Sequence, residues 1–319
     1  MNDFKHIYGQ DLAIEILKSA ISKQQIAPAY LFSGPEGVGR KKTAKVFINA
    51  ILSEKYDAEV TKRKIESNNH PDLLWIEPSY IVQGKSISQT KARSESISIK
   101  SPPQIRLNQI RYIIEFLGKK PFESNRSVVI IEDIERINES ASNALLKTLE
   151  DTNTGLFILI TQRPEKLLST IRSRCQIVPF IRLSDNNVNQ IIQKLEIIHD
   201  KDEIPNKKIK ELINFSHGSP GRYLINLQFW LGISSSLRQK LEFKLDNKIE
   251  LLKLAKEITD ELNIEQQLWL IDFEQNTSWE KEADTNLVEK LEDLRKQLLS
   301  YVQPRLAWEV TLLEIGMKD

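Results

Sequence analysis

Two short stretches of this chain carry residue types that could handle phosphate. Gly34-Pro35-Glu36-Gly37-Val38-Gly39-Arg40-Lys41 sets three glycines ahead of two cations. Glycines let backbone N–H groups converge on an anion, a helix N-terminus adds partial positive charge, and a cation after the last glycine reaches the outer phosphates. Against the G-x-x-x-x-G-K-[ST] pattern, Arg40 stands at the lysine position. Lys41 replaces the hydroxyl that would bind Mg²⁺, and Thr43 comes two positions too late to substitute. Binding of a nucleotide such as ATP stays open, with weak metal dependence and weak turnover at best. The competing reading is a P-loop kept for its shape around an inert site.

The second stretch is Val128-Val129-Ile130-Ile131-Glu132-Asp133, with acids at the end of an apolar run. Hydrolysing P-loop enzymes direct an Asp toward Mg²⁺, and many follow it with a Glu that prepares water. Here the order is reversed, so Glu132 is one methylene too long and Asp133 one too short. An error of ~1 Å can lose ~10²-fold in rate.

These residues need a frame. Ala29–Phe32 reads as a strand, the glycine segment as a turn, and Ala44–Leu52 as a helix. Strand patterns recur at 72–76, 127–131, 156–161 and 177–180, alternating with helical patterns at 104–117 and 138–151. The β-branched run before Glu132 suits a parallel sheet covered on both faces. The expected fold is therefore α/β with a mostly parallel sheet. An amphipathic helix over 11–22 precedes it, with Leu12, Ile16 and Ala20 beside Ala13 and Leu17. Residues 79–101 hold seven Ser, four Lys or Arg and one Glu, which reads as a mobile basic surface loop. After Phe180 the pattern turns helical at 184–198 and 207–217, and Leu287, Leu291, Leu294 and Leu298 form a bundle-type seam.

Length and composition narrow the classes. The 319 residues are 40% hydrophobic and 28% charged, with only 11 Gly and 12 Pro, which excludes collagen-like and wholly disordered chains. The expectation is a soluble cytoplasmic protein, since no apolar signal core or membrane-spanning run is present. The single cysteine, Cys175, excludes an internal disulfide and a thiolate zinc site. His70 then reads as a turn residue. The net charge of +1 is unevenly spread, with 12 Lys+Arg against 18 Asp+Glu from Ser234 onward and 33 against 26 before it. Two modules with different partners would look like this, as would a Glu-rich helical region.

The segments HIYGQDLAIEILKSAI, GPEGVGR, HPDLLWIEP, VVIIEDIERINESASNALLKTLED, LFILIT, TIRSRCQIVPF, HGSPGRYL and QPRLAWEV together resemble the delta-prime family of bacterial DNA polymerase III clamp-loader subunits, which are AAA+ proteins. The resemblance covers nearly the whole chain. It implies a RecA-like P-loop domain over 1–181, a small helical lid over 182–233 and an all-α collar domain over 234–319. It also implies a hetero-pentamer with gamma/tau-like ATPases and a delta subunit, acting on a sliding clamp and primer-template DNA. Arg174, in Ser173-Arg174-Cys175, matches the family's SRC motif, whose arginine reaches a neighbour's ATP in trans. Thr161 matches the sensor-one position and Arg222 the sensor-two position, although GSPGR departs from the GSxR form. The four-cysteine zinc module of many relatives has no counterpart at 53–69, so no zinc is carried over. Arg106, Arg111 and Lys147 are candidates for phosphate contacts with DNA.

Three functions remain in play: a non-hydrolysing clamp-loader subunit that lends Arg174, an active gamma/tau-like ATPase using Arg40, Glu132 and Asp133, and a P-loop scaffold with no DNA role.

Overall fold

The computed structural model describes residues 3–53, 57–95, 97, 99, 101–151, 155–194, 204–242, 247–300 and 302–316. It divides into two compact units, Met1–Ile191 and Ile192–Asp319.

The first unit is built on five strands: β1 (Ala29–Ser33), β2 (Leu73–Ile76), β5 (Ser127–Ile131), β6 (Gly155–Thr161) and β7 (Gln176–Pro179). They pair in the order β2-β5-β6-β1-β7, every pair parallel. In β5 all five residues are buried, as the run of Val and Ile requires when both faces of a sheet are covered. The helices of this unit are α1 (Asp11–Ser22), α2 (Arg40–Leu52), α3 (Ala58–Glu66), α5 (Leu107–Leu117), α6 (Glu139–Glu150) and the single turn α7 (Ser169–Arg172), and α8 (Asp185–Lys194) runs across the boundary to the second unit. One core cluster joins Leu31, Val129, Ile131, Phe157 and Leu159 of the strands to Ile110, Ile113 and Leu117 of α5 and Leu145 and Leu149 of α6. Each fully buried side chain of this size contributes about 1.5–3 kcal/mol. Tyr30 packs edge-on to Phe47 of α2 at 5.2 Å, which seats that helix on its strand.

The helix over 11–22 forms as its spacing predicts, but it is rotated about its axis. Ala13, Leu17 and Ala20 are buried, whereas Leu12 is 57% exposed. A larger departure lies in the serine-rich segment, expected to be a mobile loop. Residues 79–94 instead form a β-hairpin, β3 (Ser79–Val82) and β4 (Lys85–Ser88), followed by α4 (Gln89–Ser94). Gln83 and Gly84 both take positive φ, the geometry of a two-residue hairpin turn. The hairpin is fastened at its base, where Ser79 and Gln104 exchange backbone hydrogen bonds of 2.9 and 3.0 Å. The Arg106 guanidinium also donates to the Ser79 carbonyl and hydroxyl. Arg106, a candidate for DNA, is thus engaged in holding this hairpin.

The second unit is helical: α9 (Asn206–Phe215), α10 (Pro220–Leu231), α11 (Ser235–Glu242), α12 (Lys248–Glu261), α13 (Ile264–Glu282), α14 (Thr285–Leu299) and α15 (Pro304–Gly316). Side-chain caps from Ser219, Asn247, Asn263 and Asp284 satisfy exposed N–H groups and fix where α10, α12, α13 and α14 begin. Phe229, Trp269 and Phe273 stack in series at 5.5 and 5.3 Å, and Leu291, Leu294 and Leu298 of the expected seam are buried. Lys208, only 8% exposed, lies over the Trp230 and Phe273 rings and pairs with Glu211 at 2.8 Å, which compensates its burial.

Candidate functional site

The glycine loop leaves β1 at its carboxyl end, where open α/β sheets bind ligands. The Gly34 N–H donates to the Thr161 carbonyl at the end of β6 (3.2 Å). A Cβ on Gly34 would fall 2.3 Å from the Phe180 carbonyl oxygen, so only glycine fits. Gly37 and Gly39 have φ of +74° and +103°, and Gly39 is the residue from which α2 starts. Gln10 ties the loop down from outside: its amide donates to the Val38 and Ile181 carbonyls (3.3 and 2.8 Å) and accepts from the Ile181 N–H (3.0 Å). The Thr43 hydroxyl donates back to the Gly39 carbonyl (3.0 Å), so it is committed to its own helix.

Arg40 opens α2 and is 6% exposed, yet its Nη1 has no hydrogen-bond partner. Burial pulls its pKa down from the ordinary arginine value, and the nearby Asp133, Glu135, Glu36 and Glu132 pull it back up. An unpaired guanidinium nitrogen away from water costs free energy that an anion would return. This loop therefore fits a phosphate group.

Lys41 meets Glu132 directly, its ammonium on Oε2. The other carboxylate oxygen, Oε1, accepts from the Trp75 indole N–H at 2.6 Å, and Lys45 lies over the Trp75 ring at 5.4 Å. Both oxygens of Glu132 are thus occupied by donors. Asp133 sits in the left-handed region at φ +44°, starts a tight turn over Ile134–Arg136 and lies 3.9 Å from Arg136 Nε. A magnesium ion needs oxygen ligands in octahedral array, and an ammonium in the place of the hydroxyl supplies none. The residues present do not fit that metal. Among the described residues no group of three or more His, Cys, Asp or Glu could hold a metal ion.

Thr161 is fully buried, and its hydroxyl accepts from the Arg163 N–H (3.0 Å). Arg174 is engaged elsewhere, on the surface: Nη2 donates to Glu150 Oε1 at 2.6 Å and Nη1 to the Thr170 carbonyl at 3.0 Å, with 38% of the side chain exposed. Burial pushes the pKa of the adjacent Cys175 thiol up to about 12. Arg222 lies in the first turn of α10, in the second unit, its N–H donating to Ser219 Oγ. The first unit thus gathers Gly34, Gly37, Gly39, Arg40, Lys41, Glu132, Asp133 and Thr161 at the carboxyl ends of β1, β5 and β6.

Three supporting residues escaped the sequence reading. They are Trp75, Glu150 and Gln10, whose partners lie far along the chain and meet them only in the fold.

Sheet order, glycine loop and strand-end acids define a P-loop nucleotide-binding fold of the AAA+ class. The chain belongs to the DNA polymerase III delta-prime family. Residues 9–184 match the family model described as DNA polymerase III, delta subunit, and residues 186–315 match that of the cyanobacterial DNA polymerase III delta prime, C-terminal domain. The DNA polymerase III subunit delta′ of Bacillus subtilis is 32% identical over 177 residues, covering 54% of this chain and 47% of the relative. The tau subunit of the same organism is 28% identical over 202 residues, covering 63% of this chain and 32% of its own length. The chain thus spans less than half the length of these relatives. A DNA polymerase III gamma-subunit-related protein from Thermotoga maritima shares the fold, with a TM-score of 0.54 at 19% identity over 95% of this chain and 98% of the other.

Proposed function

We propose that this chain is the delta-prime-type subunit of a bacterial clamp loader, presenting Arg174 to ATP on a neighbouring gamma/tau-type subunit while hydrolysing little or none itself. Its work is ATP-dependent loading of a sliding clamp onto primed DNA in the cytoplasm, within a hetero-pentamer that includes a delta subunit. In this reading residues 182–233 act as the lid and residues 234–319 as the collar. No described helix is long and apolar enough to cross a membrane.

The observation that carries the reading is the state of Glu132. Its two oxygens serve Trp75 and Lys41, so it is poorly placed to hold a metal or to activate water. Arg174 by contrast is partly exposed on an ion pair that is cheap to exchange, since surface pairs are worth about 0–1 kcal/mol. A guanidinium suits a partner's phosphates because it stays charged and offers a planar fork of donors.

The second reading is an active gamma/tau-like ATPase, favoured by the buried, unpartnered Nη1 of Arg40. Steady-state hydrolysis by the purified chain separates the two. The non-hydrolysing reading predicts no turnover above background in Mg²⁺ and ATP. Sustained turnover, abolished by Arg40→Ala and by Glu132→Ala, would establish the other.

A further inference from the structure

We propose that the β3–β4 hairpin, with α4 behind it, is a contact for duplex DNA, the ribbon entering a groove and its cations meeting the flanking phosphates. The proposal rests on the reading above that this chain acts at primed DNA, and it names the element that touches the duplex.

Residues 79–94, SYIVQGKSISQTKARS, hold Lys85, Lys91 and Arg93 and no Asp or Glu. Of the acids that flank the segment, Glu77 accepts the Thr90 hydroxyl at 2.5 Å, and Glu95 lies 3.8 Å from Lys91. That pair is long and solvent-exposed, so Lys91 exchanges it readily for a phosphate. Lys85 is exposed beside the Gln83–Gly84 turn and makes no ion pair among the described residues.

Strand pairing gives the ribbon two unlike faces. Tyr80 pairs with Ile87 and Val82 with Lys85, so Tyr80, Val82 and Ile87 share one face, and all three are partly buried. Ile81 pairs with Ser86 on the other face, where Ile81 is 47% exposed and Ser86 is exposed too. The root is firm. Besides the bonds from Gln104 and Arg106, the Gln89 N–H donates to the Pro78 carbonyl at 2.9 Å, and Ala92 of α4 is buried. An element already ordered loses little freedom when it binds.

Shape and chemistry together select a duplex. A major groove ~12 Å wide admits a two-stranded ribbon, and lysines beside it reach phosphates whatever the base sequence. Single strands are held instead by stacking on exposed aromatic rings. The open face offers Ile81 and Ser86, whereas the only ring of the hairpin, Tyr80, is on the partly buried side.

The test is fluorescence anisotropy of a labelled DNA duplex of about 25 base pairs titrated with the full chain, between about 50 and 200 mM salt. Lys85→Ala with Lys91→Ala is expected to weaken binding at least about tenfold at the lowest salt and to make the log–log salt slope shallower by about 2. Ile81→Ala is expected to weaken binding by a similar factor at every salt concentration, because the contact it removes carries no charge. Lys253→Ala with Lys256→Ala removes the same charge from exposed positions on α12 and is expected to change neither affinity nor slope. Equal losses from the α12 pair trace the effect to net charge and overturn the proposal. So does a single strand of the same length bound as tightly as the duplex. A hairpin double variant that binds like the wild type overturns it while leaving a DNA role intact, since the contacts then lie elsewhere. Absence of wild-type binding at the lowest salt overturns it and counts against the DNA role as well.

Discussion

Asp72 shows how a single side chain shapes its surroundings. Its carboxylate accepts from the N–H groups of Phe122, Glu123 and Ser124 and from the Ser124 hydroxyl, all between 2.6 and 2.8 Å. Burial alone would raise its pKa, but these hydrogen bonds outweigh that and hold it below the usual carboxylate value. Beside it His70 is 4% exposed, and burial lowers its pKa below 6.5 although Asp72 and Glu123 pull the other way. Below pH 6.5 the unfolded chain takes up a proton at His70 that the folded chain refuses, so stability falls as pH drops until the folded group also titrates. Asp72 adds a second loss, beginning only below its unfolded value of 3.8. Urea denaturation at about pH 7.5 and about pH 5.5 is expected to give a lower midpoint at the acid pH, and His70→Gln to flatten that difference. A midpoint that rises toward pH 5.5 would contradict it. At this scale the sequence was readable for Arg40, Lys41, Glu132 and Asp133, because pattern spacing locates them along the chain. It was silent on Trp75, because an aromatic residue in a strand looks the same whether or not its N–H serves a carboxylate.

Among the elements, β1, the glycine loop and β7 are held directly against one another. Phe180 N–H donates to the Ser33 carbonyl at 2.7 Å, and Gly34 lies against the same Phe180 backbone. Gly34→Ala therefore forces β7 off β1, and a loss of more than about 3 kcal/mol is expected by chemical denaturation. Gly84, whose φ is +76° in open space, marks the contrast: a Cβ there meets nothing, so only backbone strain of about 1–2 kcal/mol confined to the hairpin is at stake. The alternation of strands and helices was legible because the apolar runs are long. The β3–β4 hairpin was not, because serine-rich strands lack hydrophobic contrast and their order comes from Ser79, Gln104 and Arg106, which meet only in the fold. The rotation of α1 was hidden for a related reason, as Leu12 and Leu17 are equally apolar on paper.

For the whole molecule, the charge division falls between an α/β part and a helical part. The region before Ser234 carries the surplus of cations and the glycine loop, whereas the later region carries the surplus of acids on a helical frame. The resemblance of ordered motifs across the chain pointed to the family that the matching models show, while the engaged state of Glu132 became visible only in the structure. The most direct test is ATP hydrolysis by the reconstituted loader containing Arg174→Ala in this chain, with assembly checked by gel filtration. An intact complex whose turnover at the neighbouring site falls by about 10³-fold or more is the predicted result. An intact complex that hydrolyses ATP at the wild-type rate would contradict it.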